Sequence, residues 1–363
     1  MKLPRTKTLL TIAVLAVFLA ILAIVDKSGL DRYYIRILQY WAIYIIFGTS
    51  FQLLYGYSGM LSLGHAGLIA VGAYTVALLT LSPEIKAVSF LLKPPIWPIS
   101  VVQWPFFPSL LMAGILAAVV GFLVAMPALR LGGDYLAMVT LGFAEVIRLV
   151  VVNLPSVFNG AMGLRSIPLT ANLVWTWGFA IISVFAFRRL ETSSYGRALL
   201  AISEDEIGAE ALGINIYKHK LLAFVISSFF AGIGGGLMAS ILGTIDANTF
   251  KMLLTNAAVT IVVLGGMRSL TGVVLASGIY VIMSEFLRVF ESPAIVFGIS
   301  LPGIGGVRVL IFGLMLVLII LFMRNGLLGA KEFSWEWLFS KFNNIFKRKD
   351  GMNADMDKTG GNV

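Results

Sequence analysis

The chain has 363 residues, of which 59% are hydrophobic and 12% charged, and its net charge is +9. A soluble domain carries about 25% charged residues, and a globule of this length still needs a polar skin. A mean hydropathy of +0.94 therefore excludes a soluble fold and leaves one membrane domain. Cysteine is absent, which excludes disulfides, thiolate metal sites and a cysteine nucleophile.

About 20 apolar residues cross a bilayer as a helix. The first such run, 8–25, follows Lys2, Arg5 and Lys7 and ends at Asp26-Lys27 with no small-x-small cleavage site. It reads as a retained first helix rather than a signal peptide. Further runs lie at 34–55, 60–81, 106–129, 134–153, 172–187, 221–242, 252–267, 271–290 and 307–323. The expectation is an all-α polytopic bundle of about ten spans. Basic residues gather before the first run, in the loop after the sixth (Arg188, Arg189, Arg197, Lys218, Lys220) and after the last (Arg324, Lys331, Lys341). An even number of spans puts all three groups on one face, the cytoplasmic one, with both termini inside the cell. Topology thus explains the positive charge, and no nucleic-acid partner is expected.

Two outer connections break the pattern. Residues 83–105 hold Pro83, Pro94, Pro95, Pro98 and Pro105 and read as a loop, with Trp97 and Trp104 suited to the membrane interface. Residues 154–171 hold Pro155, Gly160, Gly163 and Pro168, and Asn153, Asn159 and Arg165 are expected on the outer surface. The membrane bundle is assigned to 1–330, with the long inner loop at 188–220. Residues 331–346 are expected to form an interfacial segment, and 347–363 a disordered tail. One echo runs through the chain: Gly59-Met60 with Ser62-Leu63 and Gly72, then Gly266-Met267 with Ser269-Leu270 and Gly278. Two related halves are common in transporters.

The loop after the sixth run is the one long inner loop with helical character. Ser203 and Glu206 have capping-box spacing, Glu204 and Asp205 favour the helix start, and Gly213 marks a stop. The expected helix runs from Glu204 to Leu212, with Ile207 and Ala211 on one face and Glu210 beside them. Such a helix docks into a groove on a soluble partner or lies on the membrane surface.

The chemistry of the chain is sparse. No GxxxxGK[ST] loop is present, so no ATP cofactor is expected on this chain, and Gly234, Gly235 and Gly236 read as close helix packing. Two histidines, His65 and His219, make no metal site. Glu145 and Arg148, three apart inside the fifth run, form a structural pair or line a pathway. The Gly-rich run 56–72 can unwind and expose backbone to solute, or pack closely; Ser62, Gly64, His65 and Gly67 are its candidate path residues.

The run from Tyr195 to Gly213 (YGRALLAISEDEIGAEALG) resembles the coupling loop of branched-chain amino acid ABC permeases, the LivM-type subunits. Ser58–Gly67 with Gly72–Thr75 is similar to the family's early Gly-rich segment, and Leu131–Arg148 to its central motif. Asn159–Leu164, Val263–Gly272 and Arg324–Gly329 match in order, so the resemblance covers about 35–329. It implies a cell-membrane permease that is not itself an enzyme, two ABC ATPase subunits, a second related permease and an external solute-binding protein. It also implies ATPase coupling through Arg197, Ser203, Glu204, Asp205, Glu206, Glu210, Ala211 and Gly213. Departures are Arg268 where the family has a small residue, Val273 where it has proline, the 83–105 insertion and the tail. A permease for urea or short amides of the same superfamily, and an ion-coupled secondary transporter, are the rival readings.

Overall fold

A computed structural model describes residues 17–26, 31–90, 93–131, 133–291, 294–296, 299–301, 305–323 and 326–329. The expected interfacial segment 331–346, the tail 347–363 and the start of the first run lie outside these residues. In chain order the helices are α1 (Val17–Asp26), α2 (Arg32–Gln52) running into a π-helical turn (Leu53–Tyr57), α3 (His65–Thr80), α4 (Pro83–Ser89), α5 (Phe106–Ala128) and α6 (Asp134–Asn153). After a four-residue α7 (Pro155–Phe158) come α8 (Leu173–Glu191), α9 (Ser194–Glu204), α10 (Glu206–Ala211), α11 (Ile216–Leu242), α12 (Met252–Gly265), α13 (Leu270–Glu291) and α14 (Val307–Phe322). A small antiparallel hairpin, β1 (Ala294–Val296) with β2 (Ile299–Leu301), joins the last two helices and qualifies the all-α expectation.

Every apolar run has a helix among the described residues, though not every one of these helices is long enough to be a full span. Among the described residues six are long and apolar enough to cross a membrane: α2 with its π turn, α5, α6, α8, α11 and α13. A seventh crossing exists if α3 and α4, bent by 115° at their junction, count as one. The described part of α1, α12 and α14 are shorter. The reasons are local. Gly59 at φ +67 turns the chain out of the π turn, and helix resumes only at His65. Gly243 at φ +70 ends α11, and an isolated bridge at Ile245 followed by a turn over 247–250 delays α12 to Met252.

Helix α11 is the centre of the bundle, packed on α5, α3 and α2. Its small residues allow this. A Cβ on Gly235 would sit 2.1 Å from the Ile69 carbonyl oxygen, and one on Gly72 would sit 2.0 Å from that of Gly232. Backbones approach that closely only where at least one helix carries no side chain at the crossing, so the glycine triplet is a packing device, as its setting implies. Helix α2 in turn packs on α8 and α13. By contrast α6 leans on α3 and α5 with one face and leaves Tyr135, Met138 and Val146 exposed.

The proline-rich connection 83–105, expected to be a loop, is not all loop. Ser82 accepts from the Ile85 N–H and Pro83 occupies the first turn, where its missing donor costs nothing, so α4 forms. It carries Lys86, fully buried, whose ammonium donates to the carbonyls of Ile99 (2.9 Å) and Val102 (2.5 Å). Burial lowers its pKa. The charge ties the irregular backbone of 99–102 to one helix. Lys86→Met keeps the stem but leaves both carbonyls without that donor, a loss of about 2 kcal/mol. The melting temperature of the solubilised protein should fall by several degrees, and an unchanged value would show the knot to be dispensable. Asn159, expected on the outer surface, is also buried: its amide donates to the carbonyls of Ser89 and Gly163.

Candidate functional site

At one end of the bundle the chain from α8 to α11 forms a helical hairpin. Helix α8 continues past Arg188 to Glu191, and Ser193 caps α9 by accepting from the Gly196 N–H at 3.2 Å. Helix α9 lies against α8, α11 and the π turn. Tyr195 fixes it, donating from its hydroxyl to the His219 carbonyl at 2.5 Å, and burial pushes the phenol's pKa up. Arg197 is exposed and reaches back to the Thr192 carbonyl at 3.0 Å.

The expected single helix 204–212 is in fact the end of α9 and all of α10. The capping residue is Asp205, which accepts from the Ile207 N–H at 3.0 Å, and not Ser203. Ser203 lies inside α9 and donates to the Leu200 carbonyl, a bond that helix-interior serines readily make. Asp205 at φ −152 breaks the helix, so α9 and α10 meet at an elbow. Gly213 does stop α10, at φ +81: its N–H bonds to the Glu210 carbonyl and that of Ile214 to Ala209. This pair of bonds closes a Schellman motif. Ala209 faces inward, while Ile207, Glu210 and Ala211 face out as their spacing implies. Glu206 pairs with Lys220 at 2.5 Å, and Glu204 pairs with Arg268 on the α12–α13 turn.

The second feature is the break before α3. Residues 58–64 are not helical, and α3 starts inside the bundle. Its first amides are held by side chains from two other helices: Leu63 N–H donates to Thr140 Oγ1 at 3.1 Å, and Ala66 N–H to Thr255 Oγ1 at 2.9 Å. These threonines escaped the sequence reading because an isolated threonine in an apolar run carries no pattern. His65 is fully buried with its Nε2 2.9 Å from Ser50 Oγ. The single hydroxyl proton of Ser50 goes to the Phe47 carbonyl, so His65 Nε2 carries the hydrogen and donates to Ser50. Its Nδ1 is then a buried acceptor with no partner, and the buried Ser62 hydroxyl has none either.

Around this break the six candidate path residues separate into two groups. Ser62, Gly64, His65 and Gly67 are buried between helices; a Cβ on Gly64 would meet the Thr140 carbonyl oxygen at 2.5 Å. Glu145 and Arg148 instead open onto a cavity of about 310 Å³ that Leu63, Ala66 and Lys251 also line. They pair with each other, Arg148 Nε lying 2.9 Å from both Glu145 oxygens. A larger cavity of about 710 Å³ lies at the hairpin end, walled by Gly59, Met60, Leu61, Glu206, Glu210 and Lys220. Among the described residues no group of three acidic or histidine side chains could hold a metal. Both echoing runs start at a positive-φ glycine, and the Met267 carbonyl of the second sits against the Gln52 amide and Gly56, just ahead of the first.

A bundle of apolar helices with a break beside open clefts, and a helical hairpin at one end, fits a multi-pass permease of the cell (inner) membrane. The profile of the family described as branched-chain amino acid transport system / permease component matches residues 33–323, and the chain belongs to that family. It is a permease subunit of an ABC importer and not itself an enzyme. It is 31% identical over 328 residues to the high-affinity branched-chain amino acid transport permease LivM of Escherichia coli, covering 81% of this chain and 71% of that one. It is 28% identical to the probable LivM of Methanocaldococcus jannaschii, over 61% of this chain and 68% of that protein. The related permease LivH of E. coli is 29% identical over 50% of this chain and 56% of its own. No solved structure matches.

Proposed function

We propose that this chain translocates branched-chain or related amino acids, driven by two ABC ATPase subunits that grip α10. A second related permease completes the path, and an external solute-binding protein delivers the solute. About ten apolar segments cross or enter the bilayer, with both termini on the ATPase side. The observation that carries the reading is α10 itself, a capped helix too short to enter a bilayer, with Ile207 turned fully outward. The coupling residues Arg197, Ser203, Glu204, Asp205, Glu206, Glu210, Ala211 and Gly213 form the hairpin that would take the stroke. Glu145 and Arg148 would line the path, and Ser62, Gly64, His65 and Gly67 its inner wall. The cavity beside Glu145 and Arg148 offers both signs of charge and the apolar faces of Leu63, Ala66 and Phe250, which suits a zwitterion with an aliphatic side chain.

The test is uptake of radiolabelled leucine and of urea by proteoliposomes holding all the subunits. ATP-dependent leucine uptake, with urea not accumulated, is expected. Uptake by the permease alone under an ion gradient would replace this reading with a secondary transporter, and preference for urea would replace the solute.

A further inference from the structure

The two cavities border neighbouring residues of the same short stretch of chain. Leu61 borders the one at the hairpin end, and Leu63 borders the one that holds Glu145 and Arg148. Two residues of extended chain span about 7 Å at most. Along this stretch the two cavities are therefore no more than that far apart, and the stretch is not helical. Between the two leucines sits Ser62, buried, its hydroxyl with no partner. Just beyond it is the bare Nδ1 of His65. Buried polar atoms left unpaired are costly, so a stretch that holds two of them gains by moving to where they find partners.

The foot of this stretch touches the hairpin. A Cβ on Gly59 would lie 3.5 Å from the Ser203 Cα, so the chain runs directly over the α9–α10 elbow. One residue on, Glu204 holds Arg268 and with it the turn whose Met267 carbonyl receives Gln52. Helix α10 also walls the hairpin-end cavity through Glu206 and Glu210. A displacement of the elbow must move either the foot of the stretch or the wall of the cavity beneath it.

We propose that residues 59–64 are the moving gate of the permease, with Leu61 sealing the hairpin-end cavity, Leu63 sealing the opposite one, and the Ser203–Asp205 elbow driving the exchange. The inference rests on the transport reading above, and adds where in this chain the path closes and what moves it.

The natural absence of cysteine makes the test direct. Leu61→Cys and Leu63→Cys each create a single thiol, and the complete transporter is placed in vesicles of both orientations. A membrane-impermeant maleimide should label Leu61→Cys from the hairpin face and Leu63→Cys from the other. Trapping the ATPases with vanadate should change the two rates at least five-fold in opposite directions. Arg268→Ala should shrink that response while ATP hydrolysis continues. Labelling of both thiols from one face, or rates indifferent to vanadate in vesicles that still accumulate leucine, overturns the gate. If the native complex shows no ATP-driven leucine uptake, the transport reading fails instead.

Discussion

Replacing Ile207 with aspartate should leave the permease folded and lower ATP-driven uptake by more than ten-fold. Ile207 is 82% exposed, and Leu212, just after α10, is 81% exposed. Neither side chain is part of the bundle's core, so a substitution there falls among surface changes that alter stability by about 0.5 kcal/mol or less. At an interface the same side chain counts for much more. An apolar anchor seated in a partner's pocket is commonly worth about 2 kcal/mol or more, roughly a thirty-fold change in affinity. Aspartate adds the cost of bringing a charge into that pocket. Co-purification with the ATPase subunits should be lost in step with uptake, while the melting temperature of the isolated permease stays put. Ile207→Leu, which keeps the bulk, should retain most of both. A complex that assembles and transports normally with Ile207→Asp would mean that α10 is a surface connector and the motor grips elsewhere.

The sequence made the oily helices legible and the breaks between them illegible. Each apolar run predicted a helix that is present, because hydropathy over a window of about 20 residues is a strong, redundant signal. Length was harder. The run 60–81 reads as one apolar stretch, yet its first residues are held out of helix by Gly59 and by the two threonines that receive the Leu63 and Ala66 amides. A glycine's φ and a contact from a helix remote in sequence leave no mark in a local window. The same limit explains the hairpin. Ser203 and Asp205 both suit a cap, and spacing alone favoured Ser203. The structure chose Asp205, since α9 runs on to Glu204 and buries Leu199 and Ile202 against the bundle. Glu145 and Arg148 were readable as a pair from their three-residue spacing. That they open on a cavity with Lys251 was not, because the 243–251 loop that brings Lys251 there belongs to no periodic pattern.

Gly72→Val should prevent accumulation of folded permease, the largest effect expected of any single substitution in the bundle's core. At this position α3 crosses α11 backbone to backbone. A Cβ on Gly72 would fall 2.0 Å from the Gly232 carbonyl oxygen and 2.5 Å from its Cα. Nothing flexible stands there to turn aside, so the helices themselves must part by more than 1 Å. Gly235 meets Ile69 three residues further along α11 under the same constraint, its Cβ 2.1 Å from a carbonyl oxygen. Separating the helices at one crossing therefore strains the other. Overpacking a well-filled core commonly costs about 1–3 kcal/mol when side chains can adjust; here only backbone can, and the cost should exceed that range. In a membrane this packing is also the main force holding α3 to α11, because lipid solvates their apolar faces as well as each other does. Gly142 on α6 has nothing within 4 Å of an added Cβ, so Gly142→Ala should leave the yield of monodisperse protein unchanged. If Gly72→Val were purified in normal yield with a native melting temperature, the close crossing at the centre of the bundle would be wrong.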